Sequence, residues 1–214
     1  MFRHTKSEKK KKEKMIHVGL DLDGVVRNLT EHAIACYKQD YPENAGAFRD
    51  TTSDWGFESA LKVQNYDLLK HFKEYAFGKD RSSSIDVFRT APPYRNQVKN
   101  WSRCYNILNR AGALVSVCTS QQSDLHAAAS AEWINQHNVV CDNIIVTKCS
   151  KKGIYGLDYH LDDKPKHVAS VTANGGYGVL MRRDWNKSAR SRVDKSVSSV
   201  MEYTKFILEE ENMM

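Results

Sequence analysis

The sequence predicts an α/β fold built on a mostly parallel sheet, and three observations carry that reading. Short apolar runs of strand length alternate with longer segments of helical spacing, the pattern of repeated βαβ units. Three of the runs end in polar clusters, and in such sheets ligands bind beyond the carboxyl ends of the strands. With 214 residues, 41% of them hydrophobic, the chain can bury one sizeable core, or a core with a small insert.

The first element is "IHVGLDL", residues 16–22, a short apolar run closed by turn residues that reads as a buried strand. "NLTEHAIACYKQDY" predicts a helix with Asn28 or Thr30 near its start. From about residue 40 to 96 clear periodicity is lost, aromatic and charged residues are dense, and "RSSS" and "APP" punctuate loops. After Pro93, the residues Val98, Trp101, Tyr105 and Leu108 recur at helical spacing, with Gly112 as the stop. "ALVSVCTS" is a second buried strand, and residues 124–137 are alanine-rich and helical. "NIIVT" and "YHL" read as the third and fourth strands, "KPKHVASVTANGG" as a helix ending at glycines, and "YGVLMRR" as a fifth strand. Val193, Val197, Val200, Met201, Ile207 and Leu208 predict one final amphipathic helix.

The formal charge of +6 suggests a polyanion partner, but Lys6, Lys9, Lys10, Lys11, Lys12 and Lys14 sit in the first 14 residues and the remainder is close to neutral. That tail is expected to be a disordered, solvated end with at most weak nucleic-acid contact, and Met15 is an alternative start. It does not read as a signal peptide, because the apolar segment after it is short, carries His17 and soon meets Asp21. No apolar run is long enough to span a bilayer. Cys36, Cys104, Cys118, Cys141 and Cys149 form no CxxC pair, which fits a reducing compartment. A cytoplasmic protein is expected, in the host cytoplasm if the source is viral.

The chemistry concentrates at three strand ends. These are "DLDG" (Asp21, Asp23, Gly24), "CTS" (Thr119, Ser120) and "LDD" (Asp162, Asp163), with Lys151 and Lys152 upstream of the last. Clustered carboxylates raise one another's pKa unless a cation sits among them. Hard oxygen donors of this kind favour Mg²⁺, which commonly accompanies phosphate. A lysine and two hydroxyls supply a phosphoryl group with a point charge and hydrogen-bond donors. Each piece alone has a plainer reading: a DxDG turn, a Ser/Thr helix cap, a surface Asp-Asp turn, a solvated lysine pair. Their occurrence together and in order is what points to a site. The run is neither an EF-hand loop, which needs further acidic ligands, nor a P-loop, since no GxxxxGK[ST] occurs.

These motifs, taken in order, resemble the haloacid dehalogenase-like phosphohydrolases, and most of all the 5'(3')-deoxyribonucleotidases with their bacterial and phage relatives. "DLDGVV", "VCTS", "KGIYGLDYHLDDKP" and "RRDWNKS" carry the resemblance, over residues 16–29 and about 97–186. It implies a Rossmann-like parallel sheet core with a small, mainly helical cap insert. The expected parts are a basic tail at 1–14, a core at 15–28 and 97–214, and a cap at 29–96. It implies Asp21 as nucleophile and Mg²⁺ ligand, and Asp23 as acid/base offering its backbone carbonyl to the metal. Thr119 and Ser120 would hold phosphoryl oxygens. Lys152, favoured over Lys151 by the interval, would balance charge on nucleophile and phosphate. Asp163 would complete the metal shell, and Asp162 would orient Lys152 or a metal-bound water. Cap aromatics, notably Trp55 and Phe57, would stack on a base or else form the cap's own core. Arg27, Asn28 and Leu29 stand where the family commonly has an acidic-aromatic pair.

The expectation is therefore an Mg²⁺-dependent phosphomonoesterase acting through an aspartyl-phosphate on (deoxy)nucleoside 5'-monophosphates, with a homodimer as the further partner expectation. A 3'-phosphatase on nucleic-acid ends, and a non-catalytic binding protein of the same fold, are the alternatives. The full set of acidic, hydroxyl and lysine residues argues against the non-catalytic one.

Overall fold

The computed structural model describes residues 15–79, 81–147 and 151–213; the basic tail at 1–14 and Cys149 lie outside the described residues. Apolar side chains at Val18 and Leu20 make β1 (His17–Leu20) a central strand. β2 (Leu114–Ser120) and β4 (Tyr159–Asp162) pair with it on either side, both parallel. β3 (Asn143–Thr147) extends the sheet beyond β2. β5 (Tyr177–Met181) and β6 (Lys195–Val197) extend it beyond β4, giving the order β3-β2-β1-β4-β5-β6. The crossover direction reverses at β1, so the ends of β1, β2 and β4 open onto one crevice.

Helices cover both faces. Strand alternation sends Leu161 and Val179 into a core shared with α5 (Gln97–Arg110) and α8 (Val200–Glu210), which pack on each other. On the other face α7 (Pro165–Ala173) lies against β4 and β5. The approach there is close enough that a Cβ at Gly178 would lie 2.2 Å from the Val168 carbonyl oxygen. α6 (Asp124–Gln136) connects β2 to β3, its start capped by Ser123, whose side chain accepts from the His126 N–H.

Between β1 and β2 the chain forms α1 (Leu29–Asp40), the short α2 (Pro42–Ala45), α3 (Tyr66–Phe77) and α4 (Ser82–Thr90). Residues from Leu29 to Ala91, joined by Ala129 of α6, build a second apolar cluster separate from that under the sheet. Tyr37 sits at its centre, in ring contact with Phe48, Phe72 and Tyr75. The weak periodicity of this stretch reflects short helices whose apolar faces meet one another rather than the sheet.

One expected element is corrected. The final helix begins at Val200, not Val193, and Lys195–Val197 forms a sixth strand beside β5. Val197 reaches the core from the strand, and the Ser199 side chain then accepts from the Glu202 N–H to start the helix. The valines at 193, 197 and 200 imitate one helical face while belonging to two elements.

Candidate active site

The crevice begins where β1 ends. The Asp21 N–H donates to the Leu161 carbonyl at 2.8 Å, carrying the strand pairing one residue past Leu20. The chain then turns through Gly24, whose φ of +74° suits glycine, and the Gly24 N–H donates to the Arg27 carbonyl at 3.0 Å. Arg183, just past β5, pins this turn, with Nε donating to the Gly24 carbonyl at 2.6 Å and Nη2 to the Val25 carbonyl at 3.1 Å.

Lys152 arrives on a 3-10 turn, Lys152–Tyr155, and is fully buried, whereas Lys151 is exposed. Its Nζ lies 2.7 Å from Asp21 Oδ1 and 2.7 Å from Asp162 Oδ2. Burial alone would lower this lysine's pKa, but the charges of Asp162 and Asp21 outweigh it and the net shift is upward. Asp162 is the hub behind it. Oδ2 also meets His160 Nε2 and His167 Nδ1, each at 3.0 Å, and Oδ1 accepts the Lys164 N–H at 2.9 Å. Burial would raise the Asp162 carboxyl, yet Lys152, His167 and these hydrogen bonds hold it well below the usual carboxylate range.

Asp163 has the opposite surroundings. Its Oδ2 accepts from Trp185 Nε1 at 3.0 Å, while Oδ1 is buried without a partner among the described residues. Asn186 Nδ2 holds the Asp163 carbonyl at 2.9 Å. Burial and then the charge of Asp162 push the Asp163 carboxyl well above its usual range, and burial with Asp162 also raises Asp21. Oxygen atoms of Asp21, Asp162 and Asp163 lie within 4.8 Å of one another, with the Lys152 ammonium touching the first two. The fit to a divalent cation rests on three features: an orphaned buried oxygen, Asp21 and Asp163 carboxyls raised by burial and by the charge of Asp162, and a donor set made only of hard oxygens. Gly24 completes the cradle, since a Cβ there would fall 1.8 Å from Asp163 Oδ2.

Asp23 stands apart from this trio. Its Oδ1 accepts from Arg27 Nε at 2.6 Å and its Oδ2 from Gln121 Nε2 at 3.2 Å. Gln121 also donates to Thr119 Oγ1 at 3.0 Å, tying the end of β2 to the end of β1. Thr119 is fully buried and Ser120 half-buried.

Beside these strand ends lies a cavity of about 520 Å³ whose floor includes Asp23, Ser120 and Gln121. Trp55, Phe57 and Tyr66 contribute its aromatic wall, and Lys164 lines it too. Phe57 is 4% exposed, and its ring packs on Phe72 and Phe77 within the second apolar cluster. Trp55 is half-buried, edge-on to Trp185 at 5.5 Å, with the Lys164 ammonium 4.4 Å from its ring centre.

The sequence reading did not single out Gln121, His160 and His167. His160 was legible in principle: it lies two residues before Asp162 on a strand, and so on the same face. His167 depends on how α7 sits, and Gln121 on how β2 ends beside the turn after β1. No local pattern announces either.

The family model described as 5' nucleotidase, deoxy (pyrimidine), cytosolic type C protein matches residues 14–204. Solved structures share the fold. A Clostridium difficile protein described as a phosphatase has TM-score 0.59 at 15% identity, covering 92% of this chain and 100% of its own. A haloacid dehalogenase-like family hydrolase of Streptococcus pneumoniae has TM-score 0.57 at 9% identity, covering 90% of this chain and 98% of its own. The L-2-haloacid dehalogenase of Xanthobacter autotrophicus with chloropropionic acid covalently bound has TM-score 0.55 at 9% identity, covering 91% and 98%. No curated protein sequence matches the chain. With nearly its whole length matched, the chain belongs to the cytosolic type C deoxy (pyrimidine) 5' nucleotidase family, phosphatases on a haloacid dehalogenase-like fold.

Proposed function

We propose that the protein is an Mg²⁺-dependent phosphomonoesterase that hydrolyses (deoxy)nucleoside 5'-monophosphates through a phosphoryl group carried on Asp21. The observation that carries this is the Lys152 ammonium 2.7 Å from both Asp21 and Asp162, with the orphaned Asp163 oxygen in the same buried cluster. Asp21 and Asp163, with the Asp23 main-chain carbonyl, would hold the cation. Asp162 has its carboxylate committed to protein donors and serves instead to fix Lys152. When bound, the metal supplies charge neutralisation for the phosphoryl oxygens.

Asp21 Oδ attacks phosphorus, and the bond to the leaving alkoxide breaks as that oxygen takes a proton from Asp23. Asp23 then accepts a proton from water, the water oxygen bonds to phosphorus, and Asp21 leaves as a carboxylate with release of phosphate. Lys152 offsets charge on Asp21 and the phosphoryl group, while Thr119 and Ser120 supply hydroxyl donors. Residues 29–96 act as a cap that shields this chemistry and chooses the substrate. A base fits the cavity's aromatic wall, where Trp55 Nε1 is buried without a partner among the described residues. The family's description as cytosolic supports a cytoplasmic setting.

The test is phosphate release with Mg²⁺ from deoxynucleoside and ribonucleoside 5'-monophosphates, sugar phosphates and 3'-phosphorylated oligonucleotides. The highest kcat/KM is expected on a nucleoside 5'-monophosphate. Preference for oligonucleotide ends would favour the nucleic-acid alternative, and full activity in excess chelator would remove the metal from the scheme.

A further inference from the structure

We infer that Arg27 is a positioning residue that aims the Asp23 carboxylate at the leaving-group side of the site and ties that aim to the position of α4. The inference rests on the functional reading above and goes beyond it to a residue outside the motifs. Arg27 is fully buried. A buried guanidinium is tolerated only when its donors are satisfied in good geometry. Here they point three ways. Nε donates to Asp23 Oδ1 at 2.6 Å, Nη1 to the Phe88 carbonyl on α4 at 3.0 Å, and Nη2 to Ser130 Oγ on α6 at 3.0 Å. Two rings also lie close to the group, its central carbon 5.0 Å from the Phe88 ring centre and 5.5 Å from that of Trp133.

The backbone repeats the linkage. Arg27 bridges to Asp23 on one side and to Pro93 on the other, and the Asn28 N–H donates to the Pro92 carbonyl at 2.8 Å. The turn after β1 is thus joined to the end of the 29–96 segment through the same residue that holds Asp23.

A residue serving only as glue between α4, α6 and this turn would need Phe88, Ser130 and the two rings. It would not need Nε against the carboxylate that follows the nucleophile by two. The effect on Asp23 is specific. Arg27 and Gln121 take one oxygen each, which keeps the carboxylate out of the Asp21, Asp162 and Asp163 cluster. Asp23 instead lines the cavity, where the nucleoside bearing the leaving oxygen would lie. If Asp23 turned away from Arg27, the guanidinium would lose its charged partner in a buried place, so one rotamer is strongly favoured. A shift of α4 would move the Phe88 carbonyl and with it Arg27.

The test compares wild type, Arg27→Met, Asp23→Asn and the double variant in single-turnover phospho-enzyme formation. The two substrates are a deoxynucleoside 5'-monophosphate, whose alkoxide needs a proton to leave, and p-nitrophenyl phosphate, whose phenolate does not. Arg27→Met is expected to slow the nucleotide reaction by roughly 10- to 100-fold, part of the ~10²–10⁴ that proton transfer supplies, with little loss on the nitrophenyl ester. The double variant should be no slower than Asp23→Asn alone, because Arg27 acts through Asp23. Equal loss on both substrates, or losses that multiply in the double variant, would overturn the assignment. Should Arg27→Met fail to fold, Arg27→Gln takes its place. It keeps a hydrogen-bonding side chain but removes the charge held against Asp23, and the same leaving-group contrast decides. A wild type that cleaves no phosphate ester would instead defeat the functional reading, and this inference with it.

Discussion

At the carboxyl edge of the sheet, Asp21, Lys152, Asp162 and Asp163 are at most 3% exposed, and Asp162 and Lys152 each meet two or more buried partners. In the cavity next to them, Tyr66 is 81% exposed and the Lys73 side chain 41%. In the first region the carboxylates stand at or just past the ends of β1 and β4, and Lys152 reaches two of them from a 3-10 turn. The second is assembled by side chains of α3, α4 and the loop around Trp55, with no shared register. On the proposed reading, the contrast puts the reacting groups at the sheet edge and leaves substrate choice to a wall that can change without disturbing them.

The largest expected effect tests the sheet side. Asp21→Asn should abolish turnover and leave no covalent phospho-enzyme in a rapid-quench trap, since an amide does not attack phosphorus as a carboxylate does. Trapped phosphate in that variant would break the assignment of the nucleophile.

Next comes the hub. Asp162→Asn leaves the Lys152 ammonium buried with one carboxylate partner fewer, and removing one member of a buried pair costs roughly 3–5 kcal/mol. Calorimetry should show a large drop in Tm. A small drop would mean that the network is looser than its distances imply.

The candidate metal cluster gives a test whose sign follows from the raised carboxyls. Burial, then Asp162, raises both Asp21 and Asp163. A carboxyl raised in the fold binds its proton more tightly than in the unfolded chain, so stability falls as pH rises from the ordinary carboxyl range through the folded values. Asp162 runs the other way: its lowered carboxyl stabilises above the ordinary range, and that contribution is lost as pH falls through its folded value. A divalent cation competes with the protons on Asp21 and Asp163, so Mg²⁺ should raise Tm more at about pH 8 than at about pH 5. Asp163→Asn should remove most of the gain. An equal gain at both pH values would place the cation elsewhere.

The smallest effect tests the cavity side. Trp55→Ala should weaken use of a nucleotide by ~1–3 kcal/mol, the worth of one base stack, while sparing p-nitrophenyl phosphate. Equal loss on both substrates with a lower Tm would make Trp55 part of the packing around Trp185 instead.

Much of the sheet side was legible before any coordinates. Apart from Lys152, its groups stand at or just past a strand end, and a strand announces itself over a few residues in "VGLDLD", "VSVCTS" and "YHLDD". Parallel alternation then brings the ends of β1, β2 and β4 together whatever lies between them. The supporting contacts were not legible, because they join distant stretches: Trp185 to Asp163 across 22 positions, Gln121 to Asp23 across 98. Arg27 was visible only as a departure from the family's usual residues, and its partners Phe88 and Ser130 lie 61 and 103 positions away. The valine spacing that hid β6 shows the same limit, since periodicity cannot tell one long face from two short elements sharing it.

The tight approach at Gly24 has a consequence for how this chain can vary. Its left-handed φ of +74° and the 1.8 Å separation a Cβ would have from Asp163 Oδ2 penalise even alanine twice, once in the backbone and once at a buried oxygen. Gly46, by contrast, has open space around its missing Cβ and a right-handed backbone. In a saturation library selected for activity, position 24 should therefore stay glycine while position 46 drifts freely. Two glycines of the same composition would divide into a fixed point of the lineage and a site open to change.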